Sequence, residues 1–139
     1  MALKDRILEV MGGDHVAAIA SIDQQSGRTL PAVRFMATSG QEDLRLIAAT
    51  MRTSRKVQQL RKNPEVAVSI WSGKSYEDPY VVIQASARVH EDLETRKKYW
   101  SPNLEPYFGT ADNPEYVVLE LVPRNIEYYH QMQMEVWTG

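Results

Sequence analysis

Tyr80-Val81-Val82-Ile83-Gln84-Ala85-Ser86-Ala87-Arg88-Val89-His90 is the stretch on which the fold turns. Val81, Ile83, Ala85, Ala87 and Val89 fall on one side, while Gln84, Ser86, Arg88 and His90 fall on the other. A period of two is the signature of a strand with one face buried. Downstream, Tyr116–Val122 repeats the pattern, with Val117, Leu119 and Leu121 opposing Glu120. Pro123 is expected to end it, and Ile126–His130 fits a last short strand. Upstream, Glu65–Trp71, Leu44–Met51, Leu30–Thr38 and His15–Ile22 read as strands, with Pro31 near a strand start where a missing donor is tolerated. Gln24–Arg28, which includes Gly27, and Ser39–Asp43 read as turns. Helical spacing is confined to the first ten residues, which Gly12-Gly13 ends, and to Ser54–Lys62 and Leu93–Trp100. Parallel strands need a helix in every crossover, and only two of these connections can hold one. The chain is therefore expected to be mainly β, an antiparallel barrel with short helices at its rim.

The 139 residues fit one domain spanning the chain. Sixteen Lys and Arg against eighteen Asp and Glu give a net charge of −2, far from the strongly basic footprint of a nucleic-acid-binding domain. The sequence contains no cysteine, which excludes disulfides, thiolate nucleophiles and Cys-ligated metal centres. No apolar run approaches the ~20 residues of a membrane helix, and Met1–Val10 carries Lys4, Asp5, Arg6 and Glu9 where a signal peptide would be apolar. A cytoplasmic protein with no membrane or nucleic-acid partner is the expectation. Glycine-rich nucleotide motifs and the GxSxG elbow do not occur. His15, His90 and His130 form no metal-ligand spacing, so no metal site is expected.

The chemistry concentrates in Ala49-Thr50-Met51-Arg52-Thr53-Ser54-Arg55-Lys56-Val57-Gln58-Gln59-Leu60-Arg61-Lys62. Here a strand ends, hydroxyls appear, and a helix begins at Thr53 or Ser54, either of which can cap it. Arg61 and Lys62 suit the negative end of the helix dipole, whereas Arg55 and Lys56 oppose the positive end at about 0.3–1 kcal/mol each. Free N–H groups, the hydroxyls of Thr50, Thr53 and Ser54, and two cations at one helix start match a bound phosphate. A solvated basic helix face is the alternative. A nucleic-acid patch on Arg52, Arg55, Lys56, Arg61 and Lys62 is a third reading, and the near-neutral total and lack of interleaved aromatics weigh against it.

Arg34-Phe35-Met36, the Ala49-Thr50 pair, Ser54-Arg55-Lys56 and the run Val57…Leu60…Asn63-Pro64-Glu65-Val66 together resemble the pyridoxamine 5′-phosphate oxidase-like FMN-binding split-barrel family. Ala85-Ser86-Ala87-Arg88-Val89 with Asp92, Trp100, Tyr107-Phe108-Gly109 and Asp112-Asn113-Pro114 is similar to its general stress protein 26 branch. The resemblance implies a six-stranded antiparallel split barrel of Greek-key type, assembled as a homodimer with FMN sites at the interface. Carried over residue by residue, it implies phosphate contacts from Arg34, Thr50, Ser54, Arg55 and Lys56. Phe35, Met36 and Ala49 would line the ribityl chain and flavin ring. Two departures point away from vitamin B6 oxidation. Ser39 stands where the oxidases carry a substrate-phosphate lysine, and the tail Glu127-Tyr128-Tyr129-His130-Gln131 lacks their Arg-x-His.

Trp100, Tyr107 and Phe108 flank the proline-containing segment Ser101–Pro106, and each can either pack the barrel and the dimer or wall a small-molecule substrate pocket above the flavin. The implied activity is an FMN-dependent oxidoreductase passing hydride through flavin N5, from a nicotinamide or other small donor to an acceptor. The sequence nominates no side chain as catalytic acid or base, because the cofactor carries such chemistry. The alternatives are a flavin carrier or sensor without turnover, and the same fold holding F420 or haem.

Overall fold

Seven strands and four short helices make up the computed structural model, which describes residues 1–25 and 27–139. Ser26, part of the expected Gln24–Arg28 turn, lies outside the described residues. Helix α1 (Leu3–Met11) buries Ile7, Val10 and Met11 on one face. Strands β1 (Gly13–Gln25) and β2 (Arg28–Gly40) form a long antiparallel hairpin in which Gly13 faces Gly40. A Cβ on Gly40 would lie 2.0 Å from the carbonyl oxygen of Met11, so glycine is what lets α1 seat on the end of β2.

Strand β3 (Leu46–Met51) leads into helix α2 (Arg55–Lys62), then β4 (Glu65–Ile70) and β5 (Tyr80–His90). Helix α3 (Leu93–Lys98), a 3₁₀ turn (Pro102–Leu104) and α4 (Glu105–Phe108) precede β6 (Tyr116–His130) and β7 (Gln133–Thr138). The strand order is β3-β2-β1-β4-β5-β6-β7, and a further β3–β6 pairing closes a ring of six strands. Within it, β4-β1-β2-β3 is the Greek-key order. The ring is unevenly sealed. Strand β3 pairs with β6 along all of its length, from Leu46↔Leu121 to Met51↔Tyr116. It meets β2 only at Ser39↔Ile47 and Gly40↔Leu46, and beyond these two pairs the barrel is split.

Alternation sorts side chains as the sequence predicts. Val81, Ile83, Ala85 and Ala87 enter the core with Leu46, Val68, Leu119 and Ile126, all less than 9% exposed. A smaller apolar cluster of Ile47, Tyr116 and Val118 forms on the other face of β3 and β6 and is covered by Tyr99, Trp100, Leu104 and Phe108.

Pro123 does not end its strand. Strand β6 runs fifteen residues, because the register shifts between Gln84 and Ala85: Gln84 faces Asn125 and Ala85 faces Pro123. The β-bulge leaves Arg124 as the extra residue next to Pro123, which cannot donate to a regular ladder. Strand β7 was not expected, and it lies outside the closed ring, paired to β6. The tight turn joining them has Gln131 at φ 50° and Met132 at φ 70°, a left-handed pair that hairpins usually build from Asn and Gly. Gln-Met carries no such signal.

One buried carboxylate ties the closure together. Glu120 is 8% exposed and accepts from His90 Nε2 at 2.9 Å and from the Arg45 guanidinium, which also binds Asp43 at 2.7 Å. Burial pushes the Glu120 carboxyl up, but the hydrogen bonds from His90 and Arg45 prevail and hold it below its ordinary 4.5. A lowered folded-state value means stability that is present above the ordinary value and lost as pH falls through the folded one. Glu120→Gln is expected to cost about 1–3 kcal/mol at pH 7. In urea melts the deficit against wild type should shrink as pH drops below 4.5, and a deficit independent of pH would contradict this role.

Candidate anion-binding site

The β3-to-β4 connection carries α2 across one end of the barrel, where it packs against β1 and β5. Ser54 caps the helix, its Oγ accepting from the Val57 N–H at 3.4 Å, and no acidic residue stands in the first turn. Val57 and Leu60 anchor the buried face, and Gln59 is buried beside them at 7% exposure. The Gln59 amide oxygen accepts from Arg34 Nη2 at 3.0 Å and from Ser21 Oγ at 3.4 Å. Arg34 of β2 is thereby held against α2 at Gln59, near enough for its charge to act on Lys56.

These two cations define the site. Burial pushes the Lys56 amine below the ordinary lysine value, and the neighbouring Arg34 charge lowers it further. Among the described residues, neither Arg34 nor Lys56 makes an ion pair. The other cations nearby are matched differently. Arg55 Nη2 binds Asp23 Oδ2 at 3.0 Å, and Arg61 binds Glu91 at 3.0 Å. Arg52 lies 3.9 Å from Glu91 and 3.7 Å from Glu115, while Lys62 stands exposed. A like-charged, partly desolvated pair beside a helix N-terminus attracts an anion, and a phosphate is such an anion.

The remaining expected residues divide by face. Thr50 continues the inward row of Leu46 and Ala48 and is 6% exposed, whereas Ala49 lies on the outer row with Ile47. Met36 is buried in the core at 8%, so its side chain is spent on packing and only its backbone remains for a ligand. Phe35 points out of the barrel and is 77% exposed. The split between β2 and β3 opens a groove of about 220 Å³ lined by Ala37, Thr38, Ser39, Ile47, Ala48 and Ala49. Its far wall is Tyr99, Ser101, Asn103 and Leu104.

Trp100 and Phe108 turn instead onto Tyr116, Trp100 edge-on at 5.4 Å and Phe108 tilted at 5.2 Å, while Tyr107 is 79% exposed. The larger concavity, about 630 Å³, lies away from the cations around Tyr76, Tyr80, Tyr129 and Met132, with Glu77 and Asp78 on its rim. Acidic groups make that surface a poor phosphate site. Ser21, Asp23 and Gln59 escaped the sequence reading, because only strand register and helix packing bring them to Arg34 and Arg55.

A family model described as pyridoxamine 5′-phosphate oxidase matches residues 3–130. General stress protein 26 of Bacillus subtilis (strain 168) is 28% identical over 125 residues, covering 89% of this chain and 86% of that protein. General stress protein 26 from Bacillus anthracis str. Sterne superposes with a TM-score of 0.81 at 24% identity, over 100% of both chains. At lower likeness, a heme binding protein from Mycobacterium smegmatis gives a TM-score of 0.72 at 16% identity, covering 98% of this chain and 57% of its own. An F420 reductase gives 0.66 at 17% identity, covering 89% of this chain and 96% of its own. At these identities the superpositions establish a common split-barrel fold, and the side chains at the barrel end must distinguish its ligands. No helix among the described residues is long and apolar enough to cross a membrane.

The geometry makes a stability prediction. Removing a desolvated cation that faces another should relieve the ligand-free protein, as happens where binding sites trade stability for function. Lys56→Met is expected to raise the melting temperature by about 2–4 °C in low salt, and by less in high salt, where the repulsion is screened. A lowered melting temperature would mean that Lys56 is already compensated.

Proposed function

The chain belongs to the pyridoxamine 5′-phosphate oxidase family, and from that premise we propose that it binds FMN at the end of the barrel and acts as a small-molecule oxidoreductase. The observation that carries this reading is that Arg34, held by Gln59 of α2 at 3.0 Å, and Lys56 of the first turn stand near each other, neither with a counter-ion among the described residues. A phosphate monoester carries about −1.5 to −2 charges near neutral pH and supplies what that pair lacks. Arg34 and Lys56 would hold the phosphate with Ser54 and Thr50, and the first N–H groups of α2 would add dipole stabilisation. Phe35, Ala49 and the backbone of Met36 border the strands along which the rest of the cofactor would lie. When bound, FMN supplies hydride transfer through its N5 position, and the protein supplies position, charge and exclusion of water.

The same residues favour FMN over haem. Haem needs an axial ligand, yet His15 bonds the Gly12 carbonyl, His90 bonds Glu120, and His130 lines the larger concavity rather than the groove of the split. Ser39 at that groove, in place of a lysine, argues for a substrate other than a vitamin B6 phosphate.

A homodimer is part of the proposal. On the outer face of the β1–β2 hairpin, Val16↔Ala37, Ala18↔Phe35 and Ala20↔Val33 form an apolar ladder. Val16, Val33 and Phe35 are 66%, 69% and 77% exposed, a run of uncovered apolar surface that soluble chains usually bury against a partner. Phe35 joins this ladder to the strand that carries Arg34, so an FMN site and a subunit interface would be contiguous.

Protein incubated with FMN is expected to turn yellow and to retain one flavin per chain in a particle of twice the chain mass. In fluorescence titrations, Lys56→Glu should weaken FMN binding about a hundredfold. Lys62→Glu, at the exposed far end of α2, should change it less than about threefold. Equal losses would mean a diffuse basic face, and a protein that takes up no FMN would remove the proposal. Anaerobic bleaching by NADH or NADPH separates an oxidoreductase from a carrier, since a carrier would keep its oxidised spectrum.

A further inference from the structure

Arg55 and Lys56 are neighbours in the first turn of α2, yet they face different partners. Lys56 faces Arg34, whereas the Arg55 guanidinium reaches the Asp23 carboxylate at 3.0 Å. Asp23 continues the inward row of Ile19 and Ser21 along β1 and is 9% exposed. Among the described residues Arg55 is the only cation within 4.0 Å of it, Lys62 lines the same small cavity farther off, and the Arg55 side chain is itself 67% exposed. A buried carboxylate is costly without its partner, whereas a solvent-exposed guanidinium can move at little cost. Withdrawing Arg55 would strand the buried Asp23 charge, so the pair holds Arg55 on Asp23.

We infer that Asp23 sets the charge of the anion site, neutralising Arg55 so that Arg34 and Lys56 alone confront a single phosphate dianion. This rests on the phosphate reading of the site. With Asp23 present, the four side chains carry a net charge near +2, equal and opposite to a doubly ionised phosphate monoester. Without it, Arg55 becomes a third free cation at the same helix start. Asp23 is thus a residue that tunes affinity from beside the ligand, and it lowers the hold on phosphate rather than raising it. Such tuning keeps a bound phosphate group exchangeable.

The test is a double-mutant cycle on Asp23→Asn, Arg55→Met and the two combined, which isolates the coupling between them. Inorganic phosphate binding by calorimetry and FMN binding by fluorescence are measured for all four proteins, with riboflavin as the probe that lacks a phosphate. Asp23→Asn is expected to tighten phosphate and FMN binding by about threefold to tenfold, and Arg55→Met to weaken both by a similar factor. The combined variant removes a neutral pair and should bind within about twofold of wild type. It also decides the matter if either single variant fails to fold. Riboflavin binding should be unchanged throughout.

If Asp23→Asn binds as wild type does and the combined variant is as weak as Arg55→Met, Arg55 is a direct phosphate ligand and the inference is overturned. If the pattern holds for phosphate while no variant binds FMN, the flavin reading falls and the role of Asp23 stands. If FMN binds all four proteins equally, the reverse is true. Absence of phosphate and FMN binding in every protein overturns both.

Discussion

Closing the six-stranded ring through β3 and β6 forces the chain to travel. Strand β3 lies beside β2 and β6, while β4 lies beside β1 and β5, so the two stand opposite each other in the ring and the connection between them must cross the barrel end, where it packs against β1 and β5. That crossing is α2. Its apolar residues Val57 and Leu60 anchor it in the barrel core, Gln59 is thereby set over Arg34 of β2, and Lys56 lies within reach of the Arg34 charge. The meeting of Arg34 and Lys56 is thus a consequence of topology rather than of local sequence. The same closure leaves β3 joined to β2 by only two residue pairs, and the groove of the split follows from that.

Electrostatics then separates a site from a surface. The stretch from Arg52 to Lys62 looks uniformly basic, but Arg52, Arg55 and Arg61 each find carboxylates on other elements. Among the described residues Arg34 binds only the neutral Gln59 amide, and Lys56 is partly desolvated near it. Folding stability alone would disfavour this arrangement, and the proposed phosphate would account for it. The absence of cysteine also takes on a narrower meaning. It excludes redox chemistry by the protein's own side chains, and it leaves room for chemistry carried by a cofactor.

Much of this was legible in the sequence where the governing signal is local. The strand Tyr80–His90 has the bounds its alternation predicts, and Ser54 caps α2 as its residue type suggests. The sequence misled where tertiary context overrides local preference. Pro123 is accommodated by a bulge opposite Gln84 and Ala85, and β7 hangs on a left-handed Gln131-Met132 turn with no glycine to announce it. Trp100 and Phe108 read as packing or as pocket residues, and the structure sets both against Tyr116. Asp23 gave no sign at all, because its importance depends on pairing with Arg55 across the fold.

The central claim is that the Arg34–Lys56 pair awaits a phosphate, and the ionisation of Lys56 reports on it most directly. The Lys56 side chain can be followed by carbon-13 NMR as pH is raised, in the free protein and with saturating FMN or riboflavin. The account predicts that Lys56 in the free protein loses its proton below the ordinary lysine value of 10.5, and that FMN moves the titration upward while riboflavin does not. An ordinary titration in the free protein, or one that FMN leaves unmoved, would contradict it.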